Sequence, residues 1–155
     1  NVIFLGPPGV GKTHLAVGLA VEALKNGYTA YFLSAHELIA MIRENISTGK
    51  IHRKIKALSK PGLLIIDEVG YAAMEDDVAN VFFRIISNRY EKGSIILTSN
   101  KSYGSWGEVF GNQVVATAIL DRLLHHSTTI NIKGDSYRVK EKKKAGFYDT
   151  SKFDE

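Results

Sequence analysis

The chain has 155 residues, of which 45% are hydrophobic and 23% charged, a balance typical of one soluble globular domain with an apolar core. It has no cysteine, which excludes disulfides and thiolate chemistry and fits a reducing compartment, so we expect a cytoplasmic protein. No apolar run approaches the length of a membrane span, so no membrane partner is expected, and the net charge of +4 permits an anionic polymer as partner without requiring one.

The first predicted elements are a short buried strand at Val2–Leu5 and a helix at Lys12–Lys25, joined by a glycine-rich loop. Loop and helix start read GPPGVGKT, the G-x-x-x-x-G-K-[ST] pattern between a strand and a helix. Glycines let amides turn around a phosphate, the helix N-terminus adds its positive dipole, the lysine binds β- and γ-phosphates, and the threonine can ligate Mg²⁺. We therefore expect bound ATP and Mg²⁺, with a nucleotide site formed by Gly6, Pro7, Pro8, Gly9, Val10, Gly11, Lys12, Thr13 and His14.

The rest of the chain alternates strands and helices, which predicts a parallel sheet with helices on both faces and right-handed crossovers. The predicted strands are Thr29–Leu33, Leu63–Ile66, Ser94–Ser99 and Thr128–Lys133. Capping boxes are expected at Ser34–Glu37, where a helix begins, and at Ser105–Glu108, and further helices are expected at Lys50–Ser59, after Glu75 and at Val114–Leu124. The first helix is apolar on nearly all sides, which predicts burial beneath the sheet. Gly134-Asp135 predicts a tight hairpin into Ser136–Val139, and the remaining residues are polar.

An acidic pair, Asp67-Glu68, ends the apolar run that starts at Leu63. In open α/β sheets, ligands gather at the carboxyl ends of the strands. Asp67 could therefore hold hydrated Mg²⁺ opposite Thr13, and Glu68 could orient and deprotonate an attacking water, which would make the reaction hydrolysis. The alternative is a strand-end turn with two solvated acids.

Two further polar residues are candidates for the same chemistry. Asn100 ends the next strand, where its amide could reach the γ-phosphate or the lytic water, although Asn-Lys-Ser is also a common turn sequence. Arg122 lies near the end of a mostly apolar helix, where it is either a locally paired surface charge or an arginine that reaches a neighbouring subunit's γ-phosphate.

The chain resembles the AAA+ ATPases of the IstB/DnaC-like branch through a combination of five stretches, namely GPPGVGKT, LLIIDE, ILTSN, LDRLLHH and GDSYR. The DEVGY, WGEVFG and ILDRLLHHS stretches look most like the IstB proteins, helper ATPases of bacterial insertion sequences. The resemblance implies a three-layer P-loop fold with a central parallel five-stranded sheet over residues 1–144, followed by a polar tail at 145–155. It assigns Lys12 and Thr13 to Walker A, Asp67 and Glu68 to Walker B, Asn100 to sensor 1, and Arg122 to the arginine finger.

The sequence departs from that family in two places. Only a predicted hairpin and a tail follow the fifth strand, so the C-terminal helical lid of most AAA+ proteins has no room here, and Arg138 is either a substitute for sensor 2 or a surface charge. The chain also begins abruptly at a core strand, so we expect an upstream partner-binding region to be missing.

The basic helix at Lys50–Ser59 occupies the position where initiator-type AAA+ proteins carry an extra element that faces DNA. The resemblance makes its cations candidates for phosphate contacts with double-stranded DNA, the alternative being a solvated helix face. These candidates are Lys50, Arg53, Lys54 and Lys56. His125-His126 is not expected to be a metal site, because no ligand spacing accompanies the pair.

The sequence thus predicts an ATP-hydrolysing, DNA-binding assembly factor that forms homo-oligomers with nucleotide between subunits and recruits a transposase. One alternative is a loader of a replicative helicase of the DnaC type, with the same ATP chemistry and a different partner. Another is a small-molecule P-loop kinase, which the glutamate directly after Asp67 disfavours.

Overall fold

The computed structural model describes residues 1–144, and the predicted tail at 145–155 lies outside them. Five parallel strands form one sheet in the order β2-β3-β4-β1-β5. The strands are β1 (Val2–Leu5), β2 (Ala30–Ser34), β3 (Leu63–Val69), β4 (Ser94–Ser99) and β5 (Thr128–Asn131). Because β1 lies between β4 and β5, the loop after β1 opens at the carboxyl edge of the sheet, beside the ends of β3 and β4.

Seven helices were found among the described residues, and they cover the two sheet faces unequally. They are α1 (Lys12–Lys25), α2 (Ala35–Ser47), α3 (Ile51–Leu58), α4 (Asp76–Arg89), α5 (Trp106–Val109), α6 (Gln113–His125) and α7 (Tyr137–Lys144). The large core joins α2 to α6 with one face of the sheet, while α1 alone supplies helical side chains to the small core on the other face. No helix in residues 1–144 has the length and apolar character needed to cross a membrane.

Helix α1 is much less buried than its composition predicts. Ala16 is fully buried and Ala20 and Ala23 pack beside it on the sheet, so small residues form the inner stripe. The large aliphatic side chains lie on the flanks and remain 42–54% exposed, namely Leu15, Val17, Leu19, Val21 and Leu24. Helix α1 thus lies on the sheet as expected, but only its small residues are buried there, since an apolar composition does not say how many neighbours surround a helix.

The end of the chain also differs from the predicted hairpin. After β5, the structure forms α7 at Tyr137–Lys144 where a strand had been expected at Ser136–Val139. The Ser136 hydroxyl accepts a hydrogen bond from the amide of Val139 at 3.3 Å, and the Ser136 carbonyl accepts one from the amide of Lys140 at 3.0 Å. Ser136 therefore caps α7, whose lysines, arginine and glutamate favour a helix.

Of the two predicted capping boxes, only the first is present. Ser34 and Glu37 exchange both hydrogen bonds of the motif at the start of α2. Ser105 makes no side-chain cap, because a turn of 3₁₀ helix at Tyr103–Ser105 runs directly into α5 and gives Ser105 a nearly helical backbone.

Arg89, at the end of α4, is 1% exposed and binds together the ends of several elements. Its guanidinium donates to the carbonyls of Leu58, Pro61, Gly62 and Ser94 at 2.8–3.2 Å. Burial lowers the pKa of Arg89, yet an arginine stays protonated, so the buried charge is stabilised by these four carbonyl dipoles.

Arg89→Met should therefore lower the free energy of unfolding by at least about 3 kcal/mol, because the methionine leaves buried carbonyls without donors. Urea unfolding followed by circular dichroism measures the change. Arg84→Met is the matched control, since Arg84 lies on the same helix but is exposed, and it should stay within about 0.5 kcal/mol of the parent. Equal losses in both variants would contradict the structural role of Arg89.

Candidate nucleotide-binding site

The glycine-rich loop after β1 is closely covered by the segment between β5 and α7. A side chain at Gly6 would lie 2.3 Å from the Ile132 carbonyl oxygen, and one at Gly9, whose φ is +79°, would lie 2.1 Å from the Ser136 hydroxyl. The Tyr137 amide donates to the carbonyl of Gly9 at 2.9 Å. Glycine is thus required at both positions because neighbouring atoms leave no room for a side chain, and at Gly9 also because of its positive φ.

Lys12 places its positive charge at the base of this loop. The side chain is 7% exposed, and its ammonium donates to the carbonyls of Gly6 and Pro7 at 2.7 Å each. Burial lowers the pKa of Lys12, the carboxylates of Asp67 and Glu68 oppose that effect, and Arg138 adds to it. The Lys12 ammonium is therefore well placed to bind phosphate oxygens in place of the loop carbonyls when a nucleotide is present.

The side chains of Thr13, on α1, and Asp67, on β3, are in direct contact. The Thr13 hydroxyl lies 2.9 and 3.0 Å from the two carboxylate oxygens of Asp67, which is 5% exposed. The hydroxyl of Thr98, on β4, also donates to Asp67. Hydroxyl and carboxylate oxygens are ligands that Mg²⁺ prefers, so this pair fits a magnesium ion.

Glu68 is turned out of the strand by an unusual backbone conformation. Its φ is +62°, and its amide donates to the Thr98 hydroxyl oxygen at 2.9 Å. The pairing of β3 with β4 is irregular between Ile66 and Val69, which is where Glu68 departs from the ladder. A left-handed glutamate costs energy, and such strain is typical of functional sites. As a result the Asp67 side chain is buried while that of its neighbour Glu68 is exposed at the site.

These residues line a cavity of about 640 Å³, a volume suited to a nucleotide. Its walls come from the loop and the start of α1, from the end of β3 and from α7; they include Pro8, Gly9, Val10, Gly11, Lys12, Thr13, His14, Glu68, Tyr71, Tyr137 and Arg138. Arg138 therefore lines the cavity from α7 although its side chain is exposed, an arrangement compatible with both interpretations, a substitute for sensor 2 and a surface charge. The predicted hairpin concealed this, because α7 turns the arginine toward the loop.

Asn100 directly follows β4 and is not among the residues that line this cavity. It is half-buried, and a side chain at Gly70 would approach its Oδ1 to 3.2 Å. That oxygen is buried and makes no hydrogen bond within residues 1–144. A buried amide oxygen without a donor is unusual in proteins, so this end of β4 has unused capacity to bind a polar group.

Arg122 is far from the loop of its own chain in the topology. Together with Asn1, Leu63 and Ser94, which start or precede strands, it lines a separate cavity of about 1000 Å³ at the amino edge of the sheet. Its guanidinium carbon lies 4.5 Å from the centre of the Phe83 ring. The structure therefore does not bring Arg122 to Glu68 or Lys12 within one chain.

The basic residues of α3 lie away from both cavities. Lys50, Arg53 and Lys54 line a shallow groove of about 380 Å³ between the end of α2 and α3, whereas Lys56 is exposed outside it. Ile55 is buried, so the helix packs with one apolar face and presents its cations on the others.

Fold and site together define a P-loop protein of the AAA+ class that binds ATP. The model of the IstB-like ATP binding protein family matches residues 1–145, and the chain belongs to that family. It is 56% identical over 146 residues to a Pseudomonas aeruginosa protein named for ATP binding in insertion sequence IS21, covering 94% of this chain and 55% of that one. A Geobacillus stearothermophilus protein named likewise for IS5376 is 52% identical over 143 residues, covering 92% and 57%.

The chain thus spans about half the length of these relatives. Among solved structures, the DnaC helicase loader is 27% identical with a TM-score of 0.69, covering 85% of this chain and 77% of that one. The replication initiator DnaA, bound to AMPPCP and single-stranded DNA, is 26% identical with a TM-score of 0.72, covering 98% and 47%.

Sequence reasoning missed Thr98 and Tyr137. Thr98 contacts both acids of the site, and its signal was a hydroxyl residue at the end of an otherwise apolar strand. Tyr137 had no comparable signal, since its contact with Gly9 depends on α7.

Proposed function

We propose that this protein is an ATP-hydrolysing, DNA-binding assembly factor that helps a transposase in DNA transposition. The relatives at 52% and 56% identity are named for insertion sequences, which supports that setting. Because the chain spans about half their length, the activity and partners of the whole protein belong to this proposal.

The observation that carries the ATPase assignment is the contrast between Asp67, buried against Thr13, and Glu68, exposed at the cavity. Thr13 and Asp67 would hold Mg²⁺, which when bound neutralises charge on the β- and γ-phosphates. Lys12 binds phosphate oxygens at the base of the loop. Glu68 orients a water and takes its proton, so that water is the acceptor of the phosphoryl group.

Phosphate release without any added acceptor tests this assignment. We expect the protein to release phosphate from ATP in a reaction that requires Mg²⁺ and is stimulated by double-stranded DNA. A P-loop kinase would instead stay silent until an acceptor molecule is supplied, and that result would contradict the proposal.

Arg138 supports the same reaction in this proposal. It faces the loop from α7 and is close enough to influence the ionisation of Lys12. An arginine there can contact the phosphates in the chain that binds them, the role that sensor 2 has in larger AAA+ proteins. Because Tyr137 of α7 also hydrogen-bonds to Gly9 of the loop, the position of α7 would then depend on which nucleotide is bound.

DNA binding is assigned in this proposal to the groove of α3. Lys50, Arg53 and Lys54 share one surface, and the first turn of α3 has no acidic residue to oppose them. Cations arranged in this way contact the phosphate backbone, which carries charge and little sequence information.

Replacing Lys50, Arg53 and Lys54 with glutamate should weaken duplex binding and leave ATP affinity unchanged. The slope of log K against log salt is negative, and each lost phosphate contact should reduce its magnitude by about 0.9. Fluorescence anisotropy at several salt concentrations measures the slope. Replacement of Lys25, an exposed lysine paired with Glu22 on α1, is the control. A slope equal to that of the parent in the triple variant would make α3 an ordinary solvated helix.

A loader of a replicative helicase is the second candidate, favoured by the likeness to the DnaC loader. Both candidates share the ATP site and differ in protein partner. Co-purification of the full-length protein with the transposase of its own insertion sequence, compared with the host's replicative helicase, separates them.

A further inference from the structure

A group of three potential metal ligands lies at the amino edge of the sheet, apart from the nucleotide site. Glu91 follows α4, His125 is the last residue of α6, and His126 comes directly after it. One donor atom from each lies within 4.8 Å of the others, and Nε2 of His126 is 3.2 Å from Oε1 of Glu91. Residues distant in sequence are thus brought to one point by the packing of α4 against α6.

Two features hold the donors in place. The Tyr90 hydroxyl hydrogen-bonds to Nδ1 of His125, and the two rings stack with centres 5.8 Å apart, so the tyrosine orients this imidazole. Glu91 has a φ of +57°, one of two positive values among the non-glycine residues of 1–144; the other belongs to Glu68. The left-handed residue lies directly after the C-cap of α4, and from this turn the Glu91 carboxylate contacts His126.

From this geometry we infer a binding site for a divalent transition metal, with Zn²⁺ as the best match. Two imidazole nitrogens and one carboxylate oxygen are a common set of protein ligands for zinc, with water completing the tetrahedron. Mg²⁺ and Ca²⁺ prefer oxygen donors and would not select this set. Tyr90 serves as the outer partner that fixes the His125 ring.

The bound ion would join the turn after α4 to the end of α6, next to Arg122. His126 and Arg122 line the same cavity, as do Tyr90 and Glu91. The metal therefore stabilises the region from which Arg122 projects. All three ligands are exposed, so an ion can enter without rearrangement of the core.

The test is a calorimetric titration of ZnCl₂ into protein that carries no affinity tag and has been stripped with EDTA. We expect one equivalent per chain, and a rise in unfolding temperature of roughly 5 °C at a hundredfold excess of zinc over its Kd. His125→Ala, His126→Ala and Glu91→Gln should each weaken binding at least about tenfold, since even outer partners contribute that much. A titration with MgCl₂ should give no binding at this site.

His52→Ala is the matched control, because His52 is an exposed histidine on α3, away from the cluster, and its loss should leave zinc affinity unchanged. Asp67→Asn tests whether the bound zinc lies in the nucleotide site instead. This variant should still bind one equivalent of zinc. Thermal unfolding in EDTA shows whether each variant is folded. Absence of the zinc equivalent in the parent, or its persistence in all three ligand variants, would overturn the inference.

Discussion

Arg122→Ala should bind ATP with nearly the affinity of the parent and hydrolyse it about 10³-fold more slowly. Arg122 lies at the amino edge of the sheet, while the phosphate loop opens at the carboxyl edge, so it cannot serve the loop of its own chain. We propose that it instead reaches the γ-phosphate held by a neighbouring copy, so that the active site is shared between copies. An arginine supplied in this way offsets charge that develops in the transition state. Its loss therefore slows hydrolysis but leaves the binding of ATP in the ground state nearly unchanged.

Titration with a fluorescent ATP analogue and steady-state phosphate release measure the two quantities separately. Phe83→Leu is the control, since it removes the ring under the guanidinium and keeps the arginine. If Arg122→Ala lost activity only because the packing of α6 was disturbed, Phe83→Leu should lose a similar amount of activity. Equal losses in both variants would therefore contradict a catalytic role for Arg122.

Glu68→Gln should keep ATP affinity and lose at least about 10²-fold in the rate of hydrolysis, which is the usual worth of a general base. Glutamine preserves the size of the side chain and the hydrogen bond from the backbone amide to Thr98, so the strained turn should survive. The amide cannot accept a proton from water. Nucleotide-dependent assemblies on DNA should consequently persist in this variant.

Single-turnover phosphate release gives the rate without interference from product release. Glu44→Gln, at an exposed position on α2, controls for the change in net charge. If Glu68→Gln stays within about threefold of the parent, water is activated by another group and Glu68 is not the base.

The nucleotide site could be predicted closely because its information is local. The loop pattern specifies strand, turn and helix within a few residues, and the predicted bounds of α1 and β4 agree with the structure. Asp67 could be placed against Thr13 because a continuous apolar run indicates a central strand, and such strands end at the same edge.

The rest depends on tertiary packing, which short patterns do not record. Gly134-Asp135 is a good turn sequence, but a helix forms after it because Ser136 caps α7 and the Tyr137 amide bonds to Gly9. Arg89 looked like a cation at a helix end, yet its guanidinium is buried among carbonyls from three other segments. His125 and His126 meet Glu91 only because α6 packs against α4, and no spacing in the sequence could show this.

The central claim is that the active site is shared between copies of the chain, and mixing two inactive variants tests it most directly. Arg122→Ala retains Glu68, and Glu68→Gln retains Arg122. Each variant alone should hydrolyse ATP at the low rates given above, because every interface lacks one of the two groups. In a mixture, some interfaces combine an intact Glu68 from one copy with an intact Arg122 from its neighbour.

The measurement is ATPase activity of the mixture at increasing protein concentration, with formation of mixed assemblies verified by fluorescence energy transfer between labelled variants. We expect activity to recover well above the sum of the two variants, and to rise with concentration as interfaces form. If mixed assemblies form and the mixture remains as inactive as its components, Arg122 does not act on a neighbouring copy, and the shared active site is refuted.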